Sequence, residues 1–134
     1  MHISTFDDLL AAARQQPVAQ RLLLLFAKAE LPPDATDVQK LHFANGHGGV
    51  LTPIMSVDKG PQDIASFTQL VAEADQMSPD WQLVFVAALQ NSQGQPITSG
   101  MVDDALTRMT QAVHQGQVEG FIPFNRQGDA VNLQ

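Results

Sequence analysis

The 134-residue chain contains no cysteine. That excludes disulfides, thiolate nucleophiles, iron–sulfur clusters and thiolate zinc sites together. Positive charge is scarce: Lys28, Lys40, Lys59, Arg14, Arg21, Arg108 and Arg126 stand against 14 carboxylates, for a net charge of −7. These cations are scattered along the chain. Nucleic-acid binding needs clustered cations that displace phosphate counterions, so no nucleic-acid partner is expected. An anionic membrane surface would repel the chain as well. Charged residues of both signs make up only 16% of the sequence, which leaves room for an apolar contact patch.

Long hydrophobic runs are missing too. Leu22 to Phe26 followed by Ala27-Lys28-Ala29 has the outline of a signal-peptide core with an A-x-A site. The run is short, and Asp7 and Asp8 spoil the cationic region that should precede it. The sequence therefore reads as cytoplasmic, with no membrane span and no membrane partner. No serine sits in a Gly-x-Ser-x-Gly elbow.

What is present is a pattern stated three times: an amphipathic helix leading into an apolar strand. Phe6, Leu9, Leu10 and Ala13 precede the run 22–27. Ile64, Phe67, Leu70, Val71 and Ala74 precede the run 83–89. Val102, Ala105, Leu106, Met109 and Val113 precede Phe121–Phe124. The i, i+3, i+4, i+7 spacing makes one apolar stripe on a helix, and the short apolar runs suit buried strands. A single α/β domain spanning 1–134 follows from length and pattern.

Local signals set the boundaries. Thr5 and Asp8 form an aspartate variant of the capping box at the first helix, and Pro17 closes it. Residues 34–49 read as a long loop ending in Asn45-Gly46-His47-Gly48-Gly49, with room for one helical turn that places Val38 and Leu41 on a shared face. Gly60-Pro61 and Asp63 predict the start of a second helix. Thr98 or Ser99 caps a third, and Gly116 fits the position just past its end. The tail 129–134 is expected to fray. Pro53 and Pro123 place strands 50–57 and 121–124 at sheet edges, because proline cannot donate to a ladder. Strands 22–29 and 83–90 lack proline and belong in the centre. The expectation is a mixed four-stranded sheet in order 2-1-3-4 with about three helices. Strands 2, 3 and 4 run parallel, and the last two helices lie on one face.

Four segments carry a resemblance: 25–32, 48–59, Val84–Leu89 and Gly120-Phe121-Ile122-Pro123-Phe124-Asn125-Arg126-Gln127-Gly128. With them the chain resembles a family of small bacterial proteins often labelled "ribonucleotide reductase subunit alpha". The chemistry behind that label needs radical and dithiol steps, hence cysteines, which this chain lacks. The resemblance implies no catalytic residue. The opening strand–strand–helix layout is also similar to the N-terminal part of the SseB family, an analogy of fold alone.

Two ends of the expected sheet hold the candidate sites. At one, Asp58, Lys59, Gln90, Asn91, Asn125 and Arg126 end the strands 2, 3 and 4, with Arg21 at the start of strand 1. Together with two helix starts they would suit a small anion. At the other lie Glu30, Asp34, Asp37, His42, Asn45, His47 and Trp81, where His42, His47 and Glu30 are the candidate metal ligands. Gly46-His47-Gly48-Gly49 precedes a strand and lacks a Gly-Lys-Ser/Thr ending, so it reads as a turn and not a phosphate loop. No cofactor is expected.

Two functions follow. The first is an interaction or self-associating protein without catalysis, a homodimer or the binder of a protein partner. It rests on low charge and a sheet face with no obvious cover. The second is a small-molecule or metal-assisted enzyme that uses the anion rim or the histidine loop.

Overall fold

A computed structural model describes residues 3–18, 20–31, 34–44, 50–91 and 95–131, with only the backbone of residues 42–44. In chain order it contains α1 (Phe6–Arg14), β1 (Arg21–Glu30), α2 (Asp37–Ala44), β2 (Val50–Lys59), a 3-10 turn (Pro61–Asp63), α3 (Phe67–Met77), β3 (Leu83–Leu89), α4 (Ser99–His114) and β4 (Ile122–Phe124).

The sheet order is β2-β1-β3-β4, with β1 and β3 central as the prolines require. Period-2 alternation along β1 feeds two cores. Leu22, Leu24 and Phe26 join Val84 and Val86 beneath α1 and α3. Leu23, Leu25 and Ala27 join Phe85 beneath α4, through Val102, Met109 and Val113. The result is a helix–sheet–helix sandwich.

Two expectations are corrected. The sheet is antiparallel throughout and not mixed: β4 runs against β3, with Val84 opposite Phe124 and Val86 opposite Ile122. The last two helices also lie on opposite faces. Both corrections have one cause. Only the β2–α3–β3 connection joins parallel strands, so only it obeys the crossover-handedness rule. After α4 the chain turns at Gly116 (φ +78°) and returns through Val118 and Phe121, which pack on the second core. It therefore re-enters the sheet from the end it left. The consequence is that α4 covers the face expected to be bare.

Caps formed where the spacing placed them and in two places beyond. Thr5 and Asp8 close their box, and the Thr98 hydroxyl accepts from Met101 N. The second helix begins later than expected: Pro61–Asp63 is a separate 3-10 turn, and Ser66 caps α3 by accepting from Gln69 N at 3.2 Å. The segment read as a loop holds α2. Thr36 and Gln39 make a reciprocal box, with Gln39 Oε1 accepting from Thr36 N (2.8 Å) and Thr36 Oγ1 from Gln39 N (3.1 Å). The expected glycine turn at 45–49 lies outside the described residues.

The two sheet edges are treated differently. Beyond β4, Ala130 bridges Phe124 and Asp129 bridges Thr5, while Ala130 N donates to Ser4 O at 2.8 Å. Of the tail expected to fray, residues 129–131 are thus pinned and cover that edge, and 132–134 lie outside the described residues. At the other edge, no strand among the described residues pairs beyond β2. Pro53 and an extra residue interrupt it: Ala27 is opposite Pro53 and Phe26 opposite Met55, which leaves Ile54 as a bulge.

Candidate functional site

The reversal of β4 dissolves the expected anion rim. Asn125 and Arg126 follow β4 at the end of the sheet where β3 begins. Asp58, Lys59, Gln90, Asn91 and Arg21 stay together at the opposite end. The two cations left there already face carboxylates. Arg21 Nε donates to Asp58 Oδ2 at 2.6 Å, with Asp63 3.7 Å from its Nη1, and Lys59 Nζ lies 3.0 Å from Glu73. Gln90 accepts from the Gln20 amide at 3.1 Å. An incoming anion would have to displace Asp58 and Glu73 in turn.

Arg126 is instead part of a clamp. Its Nη2 donates to both oxygens of Asp75 (2.9 and 2.7 Å), and its Nη1 donates to Trp81 O at 3.0 Å. The guanidinium lies 4.3 Å from the Trp81 ring centroid, a cation–π contact. The indole N–H closes the ring of contacts by donating to Asp75 Oδ1 at 3.0 Å. Trp81 is buried and its edge meets Phe26, so the clamp ties the chain after β4 to the first core. Beside it Asn125 Oδ1 accepts from Gln127 N and Asp129 N, and Gly128 N donates to Asn125 O. This accounts for the Asn-Arg-Gln-Gly motif as a structural turn. Arg126→Ala should cost about 1–3 kcal/mol in chemical denaturation, a charged bidentate bond moderated by partial exposure. Arg126→Lys should recover less than half of it, since lysine cannot form the fork.

Of the metal candidates, His47 and the His42 side chain lie outside the described residues. Glu30 is engaged: Lys28 Nζ is 2.8 Å from one carboxylate oxygen and the Thr52 hydroxyl donates to the other at 3.1 Å. Among the described residues no three His, Asp or Glu side chains gather as a metal would require. Lys28, then Thr52, holds the Glu30 carboxyl below its ordinary 4.5, and Glu30 holds the Lys28 ammonium above its ordinary 10.5. A depressed carboxyl stabilises the fold above its unfolded value, and that contribution is lost as pH falls through the folded one. The pair is solvent-exposed, so the expected readout is the titration itself. Carbon-detected NMR should find Glu30 titrating low, and Lys28→Met should move it back toward 4.5.

Exposed apolar groups lie at the end of the sheet that also holds the metal candidates, in residues that were given no role there. The large hydrophobics that stay exposed among the described residues are Val18, Val38, Leu41, Val50 and Met77. All but Val18 belong to the end of the sheet where β1 finishes and β2 and β3 begin. Val38 and Leu41 are 62% and 61% exposed and sit three apart on α2, so they share one face. Met77 ends α3 and is 64% exposed. It also lines a cleft of about 180 Å³ between α3 and the edge strand β2, floored by Phe26, Met55, Val57, Leu70 and Ala74. Asp58, Lys59 and Glu73 stand in its walls. A second cleft, of about 260 Å³, lies between α1 and the β1–β3 pair, beside Gln16 and Gln20. Both are smaller than the roughly 300–1,000 Å³ of ordinary small-molecule sites.

Sequence reasoning placed Val38 and Leu41 on one helical face but assigned them no role. The signal for a complete helix was Thr36-Asp37-Val38-Gln39, a Thr-x-x-Gln box. No helix among the described residues is long and apolar enough to cross a membrane. Compared with family models, curated proteins and solved structures, the chain matches none.

Proposed function

We propose that the chain is a small cytoplasmic interaction protein without catalysis of its own, and that it binds a protein partner through the α2, β2 and α3 surface. One observation carries this reading: among the described residues, four of the five exposed large hydrophobics lie at one end of the sheet, and one of them opens into an apolar cleft. Exposed apolar groups that gather, instead of scattering singly, mark contact surfaces. A cleft of about 180 Å³ suits one anchoring side chain of a protein better than a whole ligand.

The expectation of a homodimer stood on low charge and on a bare sheet face. The second ground is gone, because α1 and α3 cover one face and α4 the other. The enzymatic alternative rested on cations gathered with two helix starts or on the His42–His47 loop, of which His47 and the His42 side chain lie outside the described residues. Arg126 is bound into the Trp81 clamp, and Arg21 and Lys59 are held by carboxylates.

A neutral apolar dye such as Nile red tests the surface directly. Amide shifts on titration should centre on residues 37–41, 50–57 and 70–77, and Met77→Ser should weaken dye binding several-fold. Shifts centred on the α1 cleft would place the contact surface on the wrong side of the molecule.

A further inference from the structure

We infer that the segment this surface takes is a cationic amphipathic helix of another protein, an inference that rests on the interaction reading above. The charges at this end are unequal. Glu30 is neutralised by Lys28, and Asp75 by Arg126. That leaves Asp34, Asp37 and Asp80, all exposed, against Lys40 alone. The adjoining cleft is itself balanced, because Arg21 holds Asp58 and Lys59 holds Glu73, so the excess negative charge sits on Asp34, Asp37 and Asp80. The whole chain carries −7, so a second copy brings its own repulsion to the contact, whereas a basic segment is attracted at long range.

The shape of the surface selects the helix over the strand. Adding a strand to β2 needs an unbroken row of edge donors and acceptors. Pro53 has no N–H to offer, and the Ile54 bulge breaks the register in the middle of the strand. A helix needs no ladder. It presents apolar side chains at i, i+3, i+4 and i+7, and one of them enters the cleft between α3 and β2. The next meet Met77 and the Val38–Leu41 face, while lysines or arginines on the flanks face Asp34 and Asp37, which carry the excess charge. Met55 and Met77 supply the adaptable walls such a fit uses.

Two peptides of about 18 residues, long enough to form helices, test this. Both carry the same leucine stripe; one fills its polar face with lysine and the other with glutamate. Each is titrated against the labelled full chain. The lysine peptide should shift amides of 37–41, 50–59 and 70–77. It should bind at least about tenfold more tightly than the glutamate peptide at low ionic strength, and the gap should narrow in high salt. Asp34→Lys with Asp37→Lys should cut the lysine peptide's affinity several-fold and leave the fold unchanged. Equal binding of both peptides through these residues would overturn the cationic inference and keep the interaction reading. Binding by neither peptide, with sedimentation showing a dimer broken by Leu41→Ser, would make a second copy the occupant. Binding by neither, with a clean monomer, would remove both.

Discussion

Phe85→Ala is expected to lower the unfolding free energy by about 3–5 kcal/mol, the range for deleting a fully buried aromatic ring. Phe85 is completely buried at the middle of β3, opposite Leu25 on one side and Pro123 on the other. Its ring lies in the core beneath α4 with Val102, Met109 and Val113. The sheet backbone below it is held by ladders to both neighbours and cannot collapse into the space. Urea denaturation should show a lower midpoint with an unchanged slope. A loss under about 1 kcal/mol would mean that α4 does not close this face.

Gly128→Ala should cost about 2–5 kcal/mol for two independent reasons. Gly128 has φ +87°, where a Cβ costs about 1–2 kcal/mol. A methyl there would also stand 2.9 Å from the Phe67 ring. That ring cannot retreat, because Phe6 packs against it at 5.1 Å. Overpacking of this kind adds about 1–3 kcal/mol. Gly128 O also accepts from Phe6 N at 2.7 Å, so a shift of the turn would loosen the start of α1. Gly116 is the control: φ is +78° but nothing lies within 4 Å of a Cβ. Gly116→Ala should show the conformational cost alone, and the difference between the two variants measures the Phe67 clash.

Much of the fold was legible because proline and periodicity are local signals with global consequences. Pro53 and Pro123 put β2 and β4 at the edges, and the unbroken runs put β1 and β3 inside. The direction of β4 was not legible. It depends on the return after α4, and Gly116 looked like an ordinary helix end when its turn in fact sends the chain back along the sheet. That single reversal moved Arg126 from an imagined anion rim to the Trp81 clamp. It also moved α4 onto the face thought to be uncovered. The clamp had no sequence signature, since Asp75, Trp81 and Arg126 meet only through tertiary packing. α2 was legible in Thr36 and Gln39, but the acidic, glycine-flanked stretch read as a loop with room for a single turn, and the box went unread. The contact surface was partly in view through Val38 and Leu41. Met77 and Val50 joined them only once α3 and β2 were placed side by side.

The most direct test of the interaction account asks whether its apolar groups are spare in the folded chain. Val38→Ser with Leu41→Ser removes two large hydrophobics from α2. Each is over three-fifths exposed, so neither contributes to a core. The account predicts that the double variant keeps its denaturation midpoint, with stability within about 0.5 kcal/mol of the parent. A loss of 2 kcal/mol or more, about the cost of emptying a buried aliphatic site, would contradict it. Val38 and Leu41 would then be holding α2 onto its own body, and the surface assigned to a partner would belong to the fold.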